Sequence, residues 1–565
     1  MTDLPWLSLL IVVPLLGALV VAVLPSKGGL AKPVALGVSL LTLGIAVAAT
    51  ATSFTRGSDQ QFQMVEQHEW IPQFGVSYAL GVDGISLALI LMALVLTPVC
   101  LLAAWNDIPE GGGREKTYYA LLLSLVPFMV GVFAATDVFL FYVFFEAMLI
   151  PVYFLIGMFG GERRQAAAVK FLLYSLAGGL IMLVGVIALY FQGPGGSEGF
   201  LVERLTGLSI DPTTEKWLFV AFFVAFAVKA PMWPVHAWLP DAASASRPAV
   251  ATLLVGVLDK VGTYGMIRFC LQLFPGASEW ATPVVLTLAV VSVLYGAILA
   301  IGQTDLMRLV AFTSISHFGF IVIGIFAVTS ASQTGSNLYM INHGFSTAAL
   351  FLVAGMLVAR RGTARIDAFG GWQRVTPALA GVFLVAGLSA LALPGLSSFV
   401  SEFLVIAGTY PTYPVVTVVA ALGVILAALY VLLAYKRMMT GPPPVIGGTE
   451  GSSVVPGSTD VELRADAAGT SVAGDEPAED LPYVREDLDE GRRRGRLAAA
   501  VPDLSWREKV VVAPLIASFL VLGVYPKPVL DTLTPAVERT LEIVGVSDPA
   551  PEVPADSTST SGGTH

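Results

Sequence analysis

Charge is what this sequence has least of. Asp, Glu, Lys and Arg make up 13% of its 565 residues, against 55% hydrophobic residues, where soluble domains usually carry about 25% charged residues. So little polar surface cannot cover a soluble globule, and lipid must cover much of it. Cysteine is nearly absent: Cys100 and Cys270 each lie inside an apolar stretch. Two isolated thiols exclude an iron–sulfur cluster held by this chain, which needs clustered thiolates, and argue against a disulfide framework; they read as small buried hydrophobes. No basic face suited to nucleic acid is visible. No Ser/His/Asp set, phosphate-binding Gly loop or cluster of metal ligands appears, and GGGRE and QGPGGSEG, which neither follow a strand nor open a helix, are loops. The net charge of −10 is concentrated in polar loops and tails and says little about partners.

Apolar runs of bilayer length are abundant. A membrane helix needs roughly 17–25 apolar residues, and about fourteen candidates fit: near 4–24, 34–52, 80–105, 117–136, 138–159, 168–191, 216–230, 248–273, 282–301, 309–329, 337–359, 378–409, 413–435 and 508–525. The first has Asp3 rather than a basic region ahead of it and reads as a retained span, not a cleavable signal. Basic residues fall in alternate loops: Lys27 and Lys32, Arg114 and Lys116, Arg163 and Arg164, Arg360 through Arg374, then Lys436 and Arg437. The loops between them are acidic or neutral, with Glu66, Glu69, Glu198, Glu203 and Glu279. By the positive-inside rule both termini are expected outside.

The expected fold is therefore an all-α, multi-pass integral membrane protein of about fourteen transmembrane helices. Residues 1–116 hold the first three spans, 117–273 and 282–436 hold five spans each, and 508–545 hold the last span with an amphipathic piece (529–544) expected on the outer face. The stretch 441–505 is rich in Gly, Pro, Ser, Asp and Glu. It cannot bury enough apolar surface to offset the entropy of ordering, so it is expected to be a disordered cytoplasmic insertion, and the tail 546–565 likewise.

A charge at the bilayer centre costs at least ~2.5–3.5 kcal/mol. Most of the spans are clean, and the exceptions are few: Glu146 in FLFYVFFEAMLIPVYFLIG, Lys229 at the end of FVAFFVAFAVKAP, Lys260 in LLVGVLDKVGTYGMIRF, His317 in SISHFGF, His343 in YMINHGF and Glu402 in LPGLSSFVSEFLV. Any one of these could be a satisfied polar contact; six on six spans point to a use. Helix breakers accompany them. Pro231 and Pro234 follow Lys229, and Pro394 and Gly395 precede Glu402. Proline removes a backbone donor and clashes with the carbonyl four residues back, and irregular backbone at membrane depth is tolerated only where protein or water covers it. Breaks in the seventh and twelfth spans, five apart, suggest two inverted five-helix repeats with an ion site between them. Burial disfavours the charged form of a lysine and a nearby carboxylate favours it. Moving a carboxylate can thus load or unload a proton, which arginine would not release, and histidine relays in both directions. The set reads as a proton wire with an adjustable gate.

At these motifs, together with VKAPMWPVHAWLPDA and GVDGISL, residues 75–440 resemble the antiporter-like subunits of respiratory complex I, the NADH–quinone oxidoreductases. Among them the chain is most similar to the M type, counterpart of mitochondrial subunit 4, because Glu402 stands where the L and N types typically carry lysine. The resemblance implies that Glu146 gates Lys229 beside the broken helix, that Lys260 is the central relay continued by His317 and His343, and that Glu402 is the terminal group toward the outside. It implies L-type and N-type neighbours in a bacterial plasma membrane. It also implies FMN, iron–sulfur clusters and quinone in partner subunits, with no cofactor, metal or redox centre in this chain. The 441–505 insertion departs from the family's pattern. A subunit of a multisubunit sodium/proton antiporter or of an energy-conserving hydrogenase shares the Lys and Glu motifs. A membrane-arm scaffold that moves no protons is a further alternative.

Overall fold

The computed structural model describes residues 4–25, 29–58, 60–109, 113–442 and 501–548. In chain order the elements are α1 (Trp6–Val23), α2 (Ala31–Ser53), β1 (Gln63–Ile71), β2 (Val76–Val82), α3 (Gly84–Ala103), α4 (Gly113–Ala134), α5 (Val138–Ala147), α6 (Leu149–Phe159), α7 (Arg164–Tyr190) and α8 (Val202–Leu205). There follow α9 (Pro212–Lys229), α10 (Trp238–Ala245), α11 (Pro248–Leu253), α12 (Lys260–Gly265), α13 (Pro275–Ile301), α14 (Leu306–Phe326) and α15 (Ser330–Arg361). The chain continues with α16 (Pro377–Ala390), α17 (Ser397–Thr409), α18 (Pro414–Met439), α19 (Trp506–Val524) and α20 (Lys527–Val544).

Among the described residues, 11 helices are long and apolar enough to cross a membrane, or up to 12 if the bent pair α19 and α20 is one span. The predicted seventh span is α9, and the predicted twelfth is the pair of shorter apolar helices α16 and α17. The run Pro248–Leu271 and α14 are buried except at Pro248 and Arg308, whereas α2, α7 and α18 leave most of their residues partly or fully exposed. The molecule thus has a protein-lined centre and a lipid-suited periphery.

Side-chain caps fix where the helices begin. Asp83 accepts from the Ser86 N–H at 2.9 Å while the Ser86 hydroxyl accepts from the Asp83 N–H at 2.9 Å, a reciprocal cap on α3. Asp137 caps α5, Asp211 caps α9, Asp305 caps α14 and Thr329 caps α15. Each satisfies backbone donors that the helix itself leaves orphaned.

The structure adds to the sequence reading in four places. The helical fold carries one small sheet: β1 and β2 form an antiparallel hairpin, pairing Gln63 with Val82 and Ile71 with Val76, in what reads as an acidic loop. Glu66 of β1 accepts from the Leu7 N–H at 2.7 Å and from the Ser8 hydroxyl at 2.5 Å, tying the hairpin to the start of α1. The fifth span crosses as one 22-residue helix, Val138–Phe159, with a local irregularity at Met148, where Pro151 has no N–H for the Ala147 carbonyl; Glu146 lies two residues before it. The eighth span carries two π-helical turns, Leu254–Leu258 and Met266–Leu271.

Finally, the predicted disordered insertion 441–505 lies outside the described residues except at its ends, and its last residues are ordered. Asp503 accepts from the Ala378 N–H at 2.8 Å and the Leu379 N–H at 3.0 Å. Arg360 donates to the Pro502 carbonyl at 2.8 Å and, bidentately, to Glu508 at 2.8 and 2.7 Å, which docks α19 against α15. The amphipathic piece is helical and buries Leu533, Ala536, Val537, Thr540 and Leu541 along one face. The tail 546–565 lies outside the described residues except for 546–548.

Candidate functional site

The proline cluster in KAPMWP ends α9 at Lys229. Pro231 cannot donate to the Ala227 carbonyl, which instead accepts from the Met232 N–H at 3.0 Å. The Val228 carbonyl, freed in turn, accepts from the Trp238 indole at 2.9 Å, and the Trp233 N–H donates to the Ser292 hydroxyl at 2.8 Å. The break is therefore satisfied by protein, as irregular backbone at this depth requires. It leaves the Lys229 side chain buried, with its ammonium 5.0 Å from the centre of the Phe145 ring and 5.8 Å from that of Phe171.

Two carboxylates lie within electrostatic reach of Lys229, Glu146 on α5 and Asp259 ahead of α12. Neither Glu146 Oε1 nor either oxygen of Asp259 has a hydrogen-bond partner in the protein. Glu146 Oε1 occupies the space where a Cβ on Gly179 of α7 would stand.

Lys260, on the same π-disrupted helix, is fully buried. Its ammonium donates to the Val255 carbonyl five residues back at 2.6 Å and sits 2.7 Å from His343 Nδ1. The Phe318 ring centre is 5.0 Å away. The other ring nitrogen of His343, Nε2, pairs with the Thr347 hydroxyl at 3.1 Å. Tyr339, His343 and Thr347 recur every fourth residue and so share one face of α15. The His343 ring stands edge-on to His317 of α14, centroids 5.3 Å apart. His317 Nε2 lies 3.0 Å from the Tyr430 hydroxyl of α18, and its ring is 5.9 Å from that of Tyr339. Tyr339 donates to Glu402 Oε2 at 3.1 Å.

The second break, residues 391–396, is held by hydroxyls and amides. The Asn342 amide donates to the Ser397 carbonyl at 2.7 Å and the Ser401 hydroxyl at 3.2 Å. Ala392 (φ 59°) and Gly395 (φ 91°) take the left-handed conformation between the end of α16 and the start of α17. Glu402 sits on the buried face of α17 beyond Pro394.

The six sequence-predicted ionisable residues thus follow one another in a row, in the order Glu146, Lys229, Lys260, His343, His317, Glu402, all buried except the half-buried Glu146. Sequence reasoning missed Asp259, Tyr339 and Tyr430. Asp259 had a signal, a carboxylate in mid-span beside the lysine that drew attention. The tyrosines had none, because nothing in a single sequence shows that α14, α15, α17 and α18 converge. The remaining polar residue of the first break, His236, stays apart from the row, edge-on to Tyr295 at 4.9 Å. Two other ion clusters also lie off it: Asp241 with Lys170 at 2.7 Å and Arg308 at 2.5 Å, and buried Arg268 with Asp83. Among the described residues no three His, Cys, Asp or Glu side chains are grouped to hold a metal.

A many-spanned helical protein with two interrupted helices beside a buried row of carboxylates, lysines and histidines is an antiporter-like membrane protein. Comparison with known proteins narrows the class. The sequence profile described as NADH:quinone oxidoreductase/Mrp antiporter, transmembrane, matches residues 135–429. NADH-quinone oxidoreductase subunit M of Mycobacterium tuberculosis is 46% identical over 98% of this chain and 97% of its own length. Subunit M of Rhodobacter capsulatus is 35% identical over 95% of this chain and 96% of its own. Among solved structures, a chain of respiratory complex I from Thermus thermophilus superposes with a TM-score of 0.77 at 28% identity, covering 96% of this chain and 100% of that one. A chain of the Mrp complex from Dietzia shares the fold, with a TM-score of 0.77 at 24% identity and the same coverage. The chain belongs to the subunit M family of NADH-quinone oxidoreductases.

Proposed function

We propose that this chain translocates protons across the bacterial plasma membrane as a membrane-arm subunit of NADH–quinone oxidoreductase, beside L-type and N-type neighbours. In this reading NADH oxidation and quinone reduction, with FMN and iron–sulfur clusters, occur in partner subunits and drive the movement.

The observation that carries the proposal is the Lys260 ammonium 2.7 Å from His343 Nδ1 in a fully buried site. A buried charge that served only packing could be replaced by apolar side chains with equal or greater stability. A lysine and a base sharing one proton have a use only if the proton moves. Lys229 holds a proton while Glu146 is near. Withdrawal of that carboxylate leaves a buried ammonium less compensated, and the proton leaves for Lys260. The Lys260 ammonium donates to the Nδ1 lone pair of a neutral His343, whose Nε2–H faces the Thr347 hydroxyl. From there the row continues through His317, the Tyr430 and Tyr339 hydroxyls, and Glu402, which acts as the terminal group toward the outside.

Fourteen spans in two inverted repeats, with both termini outside, complete the reading. Two observations support the repeats. Asp137 and Asp305 cap helices five predicted spans apart with the same backbone angles, φ −108° and ψ 128°. Each is also bridged to a later loop, Asp137 to Leu201 and Asp305 to Arg365.

The test is to tag the protein, solubilise membranes in mild detergent, and assay what co-purifies for NADH–quinone reduction. Recovery of flavin- and iron–sulfur-bearing subunits with that activity is expected. Recovery of small hydrophobic antiporter subunits alone, with no redox activity, would reject the proposal.

A further inference from the structure

We infer that Asp259 is a proton-carrying residue in its own right, a carboxylate station between Lys229 and Lys260. The inference rests on the proton-translocating reading above and adds a residue to it.

The case begins with covalent geometry. Asp259 and Lys260 are consecutive, so on a helix their side chains diverge by about 100°. Lys260 turns toward His343 on α15, while Asp259 lies within electrostatic reach of both Lys229 at the end of α9 and Lys260. The π-helical turn Leu254–Leu258 ends at Asp259, whose N–H bonds the Leu254 carbonyl at 3.1 Å in the five-residue pattern. Such turns insert one residue into a helix and recur at functional sites. The first half of the row therefore alternates acid and base, Glu146, Lys229, Asp259, Lys260, before it reaches His343.

Burial makes the case stronger. Asp259 is completely buried, and neither of its oxygens meets a hydrogen-bond donor in the protein. Carboxylates kept for structure look different in this same molecule. Asp83, Asp137 and Asp305 each accept backbone N–H bonds as helix caps, and Glu508 takes a bidentate arginine. An unsatisfied buried carboxylate is costly, and no cap or clamp accounts for this one.

Chemically the step is an exchange between an ion pair and a neutral pair. The Lys229 ammonium gives a proton to the Asp259 carboxylate, breaking an N–H bond and forming an O–H bond, to leave an amine and a carboxylic acid. The acid then gives that proton to the Lys260 amine, restoring the carboxylate and forming an ammonium. Net charge is unchanged at each step, so no isolated charge crosses the low-dielectric gap between the two lysines.

The test uses the assembled complex in inverted membrane vesicles. It compares Asp259→Asn, Asp259→Leu and Asp259→Glu with wild type for complex assembly on native gels, NADH–quinone reduction, and protons moved per NADH. The expected result is that Asn and Leu assemble but lose at least tenfold in proton movement, while Glu, which keeps the exchangeable proton, recovers most of it. Wild-type stoichiometry and rate in Asp259→Asn would overturn the inference. So would an assembled Asp259→Glu as defective as Asn, or loss of the complex with both Asn and Leu, which would mark the residue as structural. Lys229→Met run in parallel separates the two levels. If it pumps normally, the translocation reading itself fails; if it is dead while Asp259→Asn is normal, only the role of Asp259 fails.

Discussion

The two ends of the buried row are built in opposite ways. At Lys229 the charged groups face each other without touching: the ammonium lies over the Phe145 and Phe171 rings, and Glu146 Oε1 has no hydrogen-bond partner. At Glu402 directional bonds dominate: Tyr339 donates to the carboxylate, and Asn342, Ser397 and Ser401 stitch α15 to the second break. Groups held only by shape and field can change distance at little cost. Groups held by hydrogen bonds keep their geometry, since each bond contributes about 0.5–1.5 kcal/mol net and several must break together. Under the proposed function, the contrast would put adjustment at the Glu146–Lys229 end and fixed transfer at the Glu402 end.

The largest expected effect lies at the adjustable end. Lys229→Met keeps an unbranched side chain of similar length among the aromatic rings but removes the exchangeable proton. Loss of a positioned acid–base group typically costs about a hundredfold or more. Coupled proton movement in vesicles should fall by about that much while NADH oxidation with an artificial electron acceptor, which bypasses the membrane arm, stays intact. An unaltered proton-to-electron ratio would remove the distinction between the two ends.

A sharper probe leaves every charged residue in place. A methyl group on Gly179 would overlap Glu146 Oε1. What it meets is the tip of a flexible side chain, so Gly179→Ala should preserve assembly and swing the carboxylate to a new position. Displacing a reacting group by about 1 Å can cost up to about a hundredfold; because the carboxylate here can relax, about tenfold slower quinone-coupled pumping is expected. Normal pumping in an assembled Gly179→Ala complex would show that the position of Glu146 is not what sets the rate.

How far these contrasts were legible beforehand follows from their physics. The spans, the six ionisable residues and both proline breaks are local signals. Bilayer length, intramembrane charge and missing backbone donors can each be read within one segment. The irregularity at Met148 was also local, since Pro151 stands in the sequence, but a lone proline in a long apolar run leaves the span whole. The β1–β2 hairpin was obscured because its polar residues resemble a loop and its second strand runs into the apolar start of α3. The π-helical turns carry no compositional mark. The Tyr339–Glu402 and His317–Tyr430 contacts join residues 63 and 113 positions apart, and only the packing of four helices brings them together.

Those long-range contacts carry the smallest effects and the finest test of the fixed end. Tyr339→Phe removes the donor to Glu402 without changing the ring that packs against His317, and Tyr430→Phe does the same for the 3.0 Å bond to His317 Nε2. A neutral hydrogen bond contributes about 0.5–1.5 kcal/mol net, which at ~1.4 kcal/mol per tenfold is a two- to tenfold change. Each single variant should therefore slow pumping by a few-fold. If the two hydroxyls serve one continuous path, removing the first should leave the second with less to contribute. The double variant would then fall short of the product of the singles, as for residues that act as a unit. Strictly multiplicative effects would mean that the tyrosines support Glu402 and His317 separately and that the proton reaches Glu402 by another way.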